Sequence, residues 1–312
     1  MIPHLMYGKE VPTFDPAIIQ GVDAVVLGMS SSPKWAEVEI AAAKVAKDAG
    51  KPYGFYSDIF KCHRRGWFSP FRESASFVFA FNPADVEDAQ QCFPNAKVVA
   101  TGNPTHASYF DFQVSPATVE EALGLQKTSQ VILVCGVKSF PMNVELILTT
   151  INACRKMSVK PQVVFGLHPG DPNDRAGYEA LVRSISELPI RFVTKAEMPS
   201  SHILCRADML IESTGSLGIE AACKRKPVVS FLTPRAYDLL YAESGERIWT
   251  PAVQGTSKLV ENESELSLAI QDGAIHHQIV CRQKGVYPKS DVKGQALIMM
   301  ADVLDGLVRT AH

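Results

Sequence analysis

Four consecutive small or hydroxylated residues separate a predicted buried strand from a predicted helix: Ser213, Thr214, Gly215 and Ser216. Free backbone N–H groups at the start of a helix, together with neighbouring hydroxyls, suit a phosphate or pyrophosphate. Glu220, one turn into the helix, can accept hydrogen bonds from a ribose diol. The alternative is that Ser213 or Thr214 caps the helix and Glu220 completes a capping box, and the residues alone leave both interpretations open.

Two other loops follow predicted strands and carry groups that could act on a ligand. His168 stands directly after an apolar strand, where an imidazole can serve as acid, base or phosphate donor, or can simply bond to a backbone carbonyl. Gly136 ends another apolar strand and would let a ligand approach the backbone, and Lys138 could meet a phosphate as a point charge. A plain turn with a solvated lysine is the alternative for this loop.

The elements that must position these loops alternate between strands and helices, which predicts parallel sheets with crossover helices. The predicted strands are 23–28, 52–58, 76–81, 97–102, 131–136, 162–167, 191–194, 208–212 and 227–231. The predicted helices are 34–50, 84–93, 117–123, 141–157, 175–187, 198–206, 216–225, 263–271 and 291–309. The sequence thus predicts an α/β protein with two Rossmann-like parallel-sheet domains facing a cleft, in which ligands bind beyond the carboxyl ends of the strands.

The predicted domains are a short first domain, a larger second domain and a closing helix: 1–110, 111–290 and 291–312. The polar stretch 103–130 is interpreted as a link that carries one helix, near 117–123. No internal repeat stands out.

The composition and net charge of the chain argue against some classes of partner. The chain has 312 residues, 46% of them hydrophobic, and a net charge of −2, so nothing favours nucleic acid or an anionic membrane as a partner. The basic run 61–67 is interpreted as a solvated loop. Seven scattered cysteines without CxxC spacing predict reduced thiols and no metal site, and with no signal peptide or apolar span in view we expect a cytoplasmic protein.

In combination, four motifs resemble those of the two-domain glycosyltransferase-B (GT-B) architecture: "VVATGNP" (98–104), "ILVCG" (132–136), "LHPGDP" (167–172) and "ESTGSLGIEAACKRKPVV" (212–229). The chain is most similar to UDP-N-acetylglucosamine 2-epimerases and related nucleotide-sugar glycosyltransferases. The resemblance implies that residues 213–216 hold the donor diphosphate, that Glu220 holds the ribose, and that His168 lies near the sugar or diphosphate. It also implies that the C-terminal helix crosses back to the first domain.

The first domain departs from this pattern. Only about 22 residues precede the first predicted strand, so we expect part of the family's first sheet to be missing. Met29 and Ser30 stand where the epimerase has a catalytic aspartate, and Asp58 stands where it has a catalytic glutamate. Because moving a proton on and off a sugar carbon requires paired acid and base groups, 2-epimerase activity is not expected.

The function that these features favour is a nucleotide-sugar-dependent glycosyltransferase, with Asp58 as the first candidate for the base that activates the acceptor and His63 as the second. UDP-sugar or another nucleotide sugar would be the donor, with no further cofactor. A non-catalytic nucleotide-sugar-binding scaffold is the alternative, and a CDP-glycerol-type glycerophosphotransferase is a weaker one. The strand edge left by the short first domain could be covered by a second copy of the chain.

Overall fold

The chain folds into two compact units, each built around a parallel sheet. In the computed structural model the described residues are 14–311, except 31–32, 172, 174, 184, 186–187 and 290–291. The first unit comprises Met1–Pro104, Glu243–Gly245 and Asp291–His312, and the second comprises Thr105–Ala242 and Glu246–Ser290. The prediction of two parallel α/β domains is confirmed.

The first unit has a four-stranded sheet in the order β1-β2-β3-β4. Its strands are β1 (Val25–Leu27), β2 (Tyr53–Tyr56), β3 (Phe77–Ala80) and β4 (Lys97–Ala100). Its α-helices in the first part of the chain are α1 (Ala17–Gln20), α2 (Glu37–Asp48) and α3 (Val86–Cys92), and 3₁₀ turns span Cys62–Arg64, Gly66–Phe71 and Pro83–Asp85. The small side chains of Ala42, Ala43 and Ala46 let α2 pack closely on the sheet, and the chain leaves this helix through Gly50 at φ 66°.

Helix α14 (Val292–Ala311) belongs to the first unit although it ends the chain. In β3, Val78 points into the cluster formed with α2, whereas Phe77 and Phe79 pack against Val303 of α14. All residues of β3 are buried, which is why this strand is apolar at every position rather than at alternate positions.

The second unit has a six-stranded sheet in the order β10-β9-β8-β5-β6-β7. Its strands are β5 (Val131–Cys135), β6 (Gln162–Gly166), β7 (Ile190–Val193), β8 (Met209–Glu212), β9 (Val228–Phe231) and β10 (Lys258–Val260). Its helices are α4 (His106–Asp111), α5 (Pro116–Leu123), α6 (Phe140–Arg155), α7 (Arg175–Arg183), α8 (Ser200–Arg206), α9 (Leu217–Cys223), α10 (Pro234–Ser244), α11 (Thr250–Val253), α12 (Glu263–Gln271) and α13 (Gly273–Val286).

Strand order in this second sheet reverses at β5. The chain leaves β5 towards β6 on one side and later returns to β8 on the other, so β5 and β8 are neighbours with the same direction. Loops that leave the carboxyl ends of two such strands diverge to opposite faces of the sheet, which opens a ligand-binding crevice at this point. The loops after β5, β6 and β8 contain Gly136, His168 and Ser213, respectively.

Two expectations about local structure were wrong. The stretch 103–130 contains two helices, α4 and α5, instead of the one predicted near 117–123. The basic run 61–67 is not a solvated loop, because His63 is 0% exposed and Arg65 only 5%. Lys61 and Arg64 pair with Asp88, a distant residue that the local sequence does not indicate as a partner.

The sequence had also left the region 232–289 almost unassigned. Helices α10, α11 and α13 and the edge strand β10 lie there, together with the predicted α12. Among the described residues, no helix combines the length and apolar character needed to cross a membrane.

Candidate functional site

The loop 213–216 presents groups that lack partners within the protein. Ser213 is buried, and its Oγ atom has no hydrogen-bond partner among the described residues. Within the same described part of the chain, the backbone N–H groups of Ser216, Leu217 and Gly218 donate to no acceptor. A buried hydroxyl and several amides without acceptors form a set of donors that a ligand oxyanion would satisfy.

The capping alternative that the sequence left open is not formed in the structure. Helix α9 begins at Leu217, and the residue before it, Ser216, makes no capping hydrogen bond through its side chain. Neither Ser213 nor Thr214 donates or accepts a side-chain hydrogen bond at this helix end. The hydroxyls of the loop are therefore not used for capping, and the amides at the start of α9 stay open.

Glu212, which the sequence reasoning missed, supports this loop from below. It is the last residue of β8 and is fully buried. Its Oε2 atom accepts the Gly215 N–H at 2.9 Å, and its Oε1 atom accepts the Ser230 hydroxyl at 3.0 Å. A charged residue type at the end of an otherwise apolar strand was the signal that could have found it.

The side chains around Glu212 complete a buried polar network. Trp249 donates its indole N–H to the Ser230 hydroxyl at 2.9 Å, and Ser257 lies 2.9 Å from the same oxygen. Gly218 is required here because a Cβ at that position would come within 3.0 Å of the Glu212 carboxyl group. The network holds the 213–216 loop in place through Glu212 of β8, Ser230 of β9, and Trp249 and Ser257, which follow β9 in the chain.

Burial raises the pKa of Glu212 to about 8, against the opposing effect of the hydrogen bonds from Ser230 and Gly215. The carboxyl group is therefore mainly protonated at neutral pH. A protonated acid beneath the loop adds no negative charge to it, so the open amides keep their attraction for an anion. The same group would repel an anion once it is ionised.

Glu220 lies in α9 with its carboxylate unused by the protein. It is 7% exposed and has no hydrogen-bond partner among the described residues. Burial raises its pKa, and the positive charge of Lys224 opposes that rise. Lys224 itself is directed to the backbone oxygen of Phe112, so the Glu220 carboxylate is left as an acceptor for a donor group from a ligand.

His168 and Lys138 come together across the loops after β6 and β5. Both side chains lie close to Gly170: a Cβ there would be 3.3 Å from His168 Nδ1 and 3.4 Å from Lys138 Cγ. Nδ1 of His168 accepts the Gly170 N–H at 2.9 Å, which leaves Nε2 as the protonated nitrogen of the neutral ring. Burial and the nearby Lys138 lower the pKa of His168, so at neutral pH it is a hydrogen-bond donor through Nε2.

A hydrogen-bond network that sequence reasoning missed connects the loops after β5 and β6. Asn143 accepts the Val137 N–H at 2.8 Å and donates to Asp171 Oδ2 at 2.7 Å and to the Tyr178 hydroxyl at 3.0 Å. Tyr178 also donates to Asp171 Oδ2, at 2.5 Å. These residues are 28 and 35 positions away from Asn143, so no local motif indicates the network.

The structure gives Gly136 a packing role. A Cβ at this position would meet the Phe165 ring at 2.8 Å and the Gly166 carbonyl oxygen at 3.1 Å. Its N–H donates to that carbonyl at 2.9 Å, which extends the pairing of β5 with β6. The glycine is therefore needed for packing between the two strands.

In the first unit, the carboxyl end of β1 is filled by apolar and sulfur side chains. Met29 is 2% exposed, and its sulfur accepts weak hydrogen bonds from Ser57 Oγ at 3.6 Å and Cys62 Sγ at 3.7 Å. Arg65 donates to the Met29 carbonyl oxygen. The position that the family resemblance assigns to a catalytic aspartate is thus a buried thioether.

Asp58 follows β2 and is the carboxylate that remains accessible at this end of the first sheet. Its side chain keeps solvent-exposed surface, yet the surrounding protein excludes enough water to raise its pKa, and the positive charge of Arg65 opposes the rise. A carboxylate with a raised pKa is a better proton acceptor.

His63, the second candidate base, is unsuitable for contact with a substrate. It is 0% exposed, and its Nε2 atom lies 2.5 Å from Asp88 Oδ2. Burial lowers its pKa against the effect of the Asp88 carboxylate. Among the described residues, no cluster of three or more His, Cys, Asp or Glu side chains could hold a metal ion.

Comparison with protein-family models gives no match, and comparison with curated proteins gives none either. Comparison with solved structures, in contrast, finds similar folds over most of the chain. A UDP-GlcNAc 2-epimerase from Neisseria meningitidis, bound to UDP-GlcNAc, has a TM-score of 0.63 at 16% identity, covering 93% of this chain and 79% of its own.

Two further structures show the same relationship. The Anabaena protein HepE, in complex with UDP, has a TM-score of 0.58 at 14% identity and covers 92% of this chain and 81% of its own. A glycosyltransferase from Rickettsia africae has a TM-score of 0.60 at 14% identity and covers 94% of this chain and 79% of its own. The predicted fold, two Rossmann-like units of the GT-B type, is confirmed.

Proposed function

We propose that the protein is a nucleotide-sugar-dependent glycosyltransferase whose second unit binds the donor. The observation that carries the proposal is the loop 213–216, where the buried Ser213 hydroxyl and the amides at the start of α9 lack acceptors above a protonated Glu212. A diphosphate supplies the oxyanions that these donors need. Two proteins with a similar fold are solved with such ligands: the Neisseria epimerase with UDP-GlcNAc, and HepE with UDP and with UDP-glucose.

The neighbouring side chains support the same assignment. The partner-free Glu220 carboxylate is suited to accept hydrogen bonds from the two ribose hydroxyls. His168, which donates through Nε2, and the exposed Lys138 are suited to hold oxygens of the diphosphate or sugar. All these groups follow strands of the second sheet.

The proposed reaction uses Asp58 as the general base. Asp58 takes the proton from an acceptor hydroxyl while that oxygen attacks the anomeric carbon of the donor sugar. The bond between this carbon and the diphosphate oxygen breaks, and its electron pair leaves with the nucleoside diphosphate. The amides of the 213–216 loop, with Lys138 and His168, stabilise the charge that develops on the leaving group.

A second candidate, a nucleotide-sugar-binding scaffold without catalysis, is favoured by one observation. Met29 replaces a carboxylate at the end of β1 and is packed against Ser57 and Cys62, so that position has no acid–base function. The two candidates share the donor site and differ only in turnover.

Calorimetric titration with UDP, ADP and CDP-glycerol tests the donor site. We expect UDP to bind the wild type, and Ser213→Ala to weaken binding about tenfold while leaving the melting temperature unchanged, since the lost hydroxyl has no partner in the free protein. Ser129→Ala, at the amino end of β5, is the matched control. Absence of UDP binding to the wild type would overturn the proposal, and tighter binding of CDP-glycerol would favour glycerophosphate transfer.

Turnover separates the two candidates. With a panel of UDP-sugars, the glycosyltransferase hypothesis predicts release of UDP that Asp58→Asn abolishes while UDP affinity stays the same. If the wild type binds UDP but releases none from any UDP-sugar, with or without added acceptors, the scaffold is the correct assignment.

A further inference from the structure

Arg65 is a buried cation whose charge is not paired. It is 5% exposed, and among the described residues it forms no salt bridge. One guanidinium nitrogen, Nη1, donates to the Met29 carbonyl oxygen, whereas Nε is fully buried without any partner. Nη2 donates to no described residue either. Removing a cation from water without pairing it costs several kcal/mol, so this arrangement requires an explanation.

Arg206 in the second unit shows how the same chain buries an arginine for a structural purpose. It is 9% exposed, pairs with Glu120 at 2.5 Å and Asp208 at 3.3 Å, and donates to three backbone carbonyl oxygens. Every edge of that guanidinium is satisfied. Arg65 is equally buried but keeps two of its three nitrogens without acceptors.

Arg65 lies near Asp58, the candidate base. It lies at the carboxyl end of β1, through its bond to Met29, and its charge acts on both Asp58 and Cys62. Asp58 and Arg65 attract each other electrostatically but form no salt bridge among the described residues, and Arg65 Nε is left without an acceptor. The exposed surface of Asp58 gives a ligand access to this end of the sheet.

We propose that Arg65 binds a carboxylate or phosphate group on the acceptor, beside Asp58 at the carboxyl end of the first sheet. A planar guanidinium whose Nε and Nη2 lack acceptors matches the two oxygens of such a group, which reaches the buried Nε only if the surrounding side chains adjust. That the bound group belongs to a glycosyl acceptor rests on the proposed function, whereas the oxyanion site is formed by residues of the first unit alone. The favoured acceptor is thus an acidic sugar or a sugar phosphate rather than a neutral sugar.

Thermal denaturation of the full chain at constant ionic strength tests this site, with D-glucuronate, D-glucose 6-phosphate and D-glucose as probes. Saturating UDP occupies the donor site in one series and is omitted in the other. We expect at least one of the two anions to raise the wild-type melting temperature more than glucose does, in both series. The anion that acts identifies the group as carboxylate or phosphate. Arg65→Met should weaken that apparent affinity about tenfold or more, and Arg64→Gln, which removes an arginine paired with Asp88, should not.

Three results would overturn the proposal: equal stabilisation by anions and glucose, equal anion effects in wild type and Arg65→Met, or a large effect of Arg64→Gln alone. The ligand-free variant adds an independent readout. Arg65→Met should melt at or above the wild-type temperature because it removes an uncompensated buried charge, and a fall of several degrees would indicate a purely structural arginine. If Arg65→Met does not fold, Arg65→Lys, which keeps the charge but not the fork, should still lose anion binding.

The test is separable from that of the donor site. If UDP fails to bind but the Arg65-dependent anion effect remains, glycosyl transfer is rejected and the oxyanion site stands. If UDP binds but anions act independently of Arg65, the donor site stands and this inference fails.

Discussion

The carboxyl ends of β8, in the second sheet, and β1, in the first sheet, are built in opposite ways. At β8, a protonated Glu212 accepts the Gly215 N–H of a loop in which the buried Ser213 hydroxyl has no partner among the described residues. At β1, Met29, Ser57 and Cys62 fill the corresponding space, and Arg65 is the buried charge beside them. The end of β8 has backbone and hydroxyl donors held in place by Glu212, whereas the end of β1 has the buried Arg65 near the exposed Asp58.

The difference shows that a shared fold fixes where a site lies but not what it binds. Both sheets are parallel, yet the chemistry at their carboxyl ends depends on which polar groups remain unsatisfied. In the second unit the open donors lie mainly in the backbone at the start of α9, so their geometry is fixed by the fold. At the end of β1 the group proposed to bind a ligand is the Arg65 side chain, so a single substitution should change what that end binds.

The largest expected effect comes from the residue beneath the loop. Glu212→Ala removes the acceptor of the Gly215 N–H and of the Ser230 hydroxyl and leaves a cavity, which should lower the free energy of unfolding by about 3–4 kcal/mol. UDP binding should be lost with the loop conformation. Urea denaturation and calorimetry measure the two effects, and Glu212→Gln, which can reproduce the hydrogen bonds of the protonated acid, should retain both properties.

The protonation of Glu212 also predicts a pH dependence. The pKa is about 8 in the folded protein and near 4.5 in the unfolded chain, so between these values the folded state binds the extra proton. Stability contributed by this group should therefore fall as pH rises, by up to about 1.4 kcal/mol per pH unit. Glu212→Gln should flatten the profile between pH 5 and 8, and parallel profiles for the variant and the wild type would contradict the assignment.

Much of the second sheet was predictable because its signals are local. The runs at 131–136, 162–167 and 208–212 are apolar strands closed by turn residues, and they lie within one or two residues of β5, β6 and β8. The hydroxyl-rich loop was identified for the same reason, since its residues are consecutive. The charge at Glu212 was visible in the sequence, but its meaning depends on Ser230, which is 18 positions away.

The features that escaped prediction depend on long-range pairing. The basic run 61–67 could not be identified as buried, because its charge is accommodated by Asp88, 24 positions from Arg64. The network of Asn143, Asp171 and Tyr178 likewise joins residues from three elements. Helix α13 was missed because the helical periodicity of its apolar residues is weak. Its buried residues are Ile279 and Gln283.

The ion pairs of Asp88 predict the largest stability effect in the first unit. Burial would raise the pKa of Asp88, but hydrogen bonds from Arg64 and His63 outweigh it and lower the pKa to about 2. Asp88→Asn should therefore cost about 2–3 kcal/mol at neutral pH, because the partners remain buried or half-buried without a counter-charge. As the folded pKa lies below the ordinary value near 3.8, the wild-type advantage should disappear as pH falls from about 4 to about 2. Chemical denaturation at several pH values measures this, and an equal difference at pH 2 and pH 7 would argue against the pairing.

Glu220 predicts a smaller effect, confined to ligand binding in the second unit. Glu220→Gln should weaken UDP binding about tenfold, because an amide can accept only part of the hydrogen bonding from a ribose diol. The wild type should bind UDP more tightly than 2′-deoxy-UDP, and the variant should distinguish the two poorly. Calorimetry with both nucleotides gives the comparison, and full discrimination by the variant would place the ribose elsewhere.

The smallest effect is expected at Met29, whose sulfur packs at the end of β1. Met29→Leu keeps the volume and loses only the weak hydrogen bonds from Ser57 and Cys62, so the free energy of unfolding should change by less than about 1 kcal/mol. If the position has no part in chemistry, turnover of any UDP-sugar that the wild type accepts should also stay the same. A large loss of turnover in a stable Met29→Leu protein would mean that this end of β1 still positions a reacting group. The contrast between the two sheet ends would then be one of degree, with both ends contributing to catalysis.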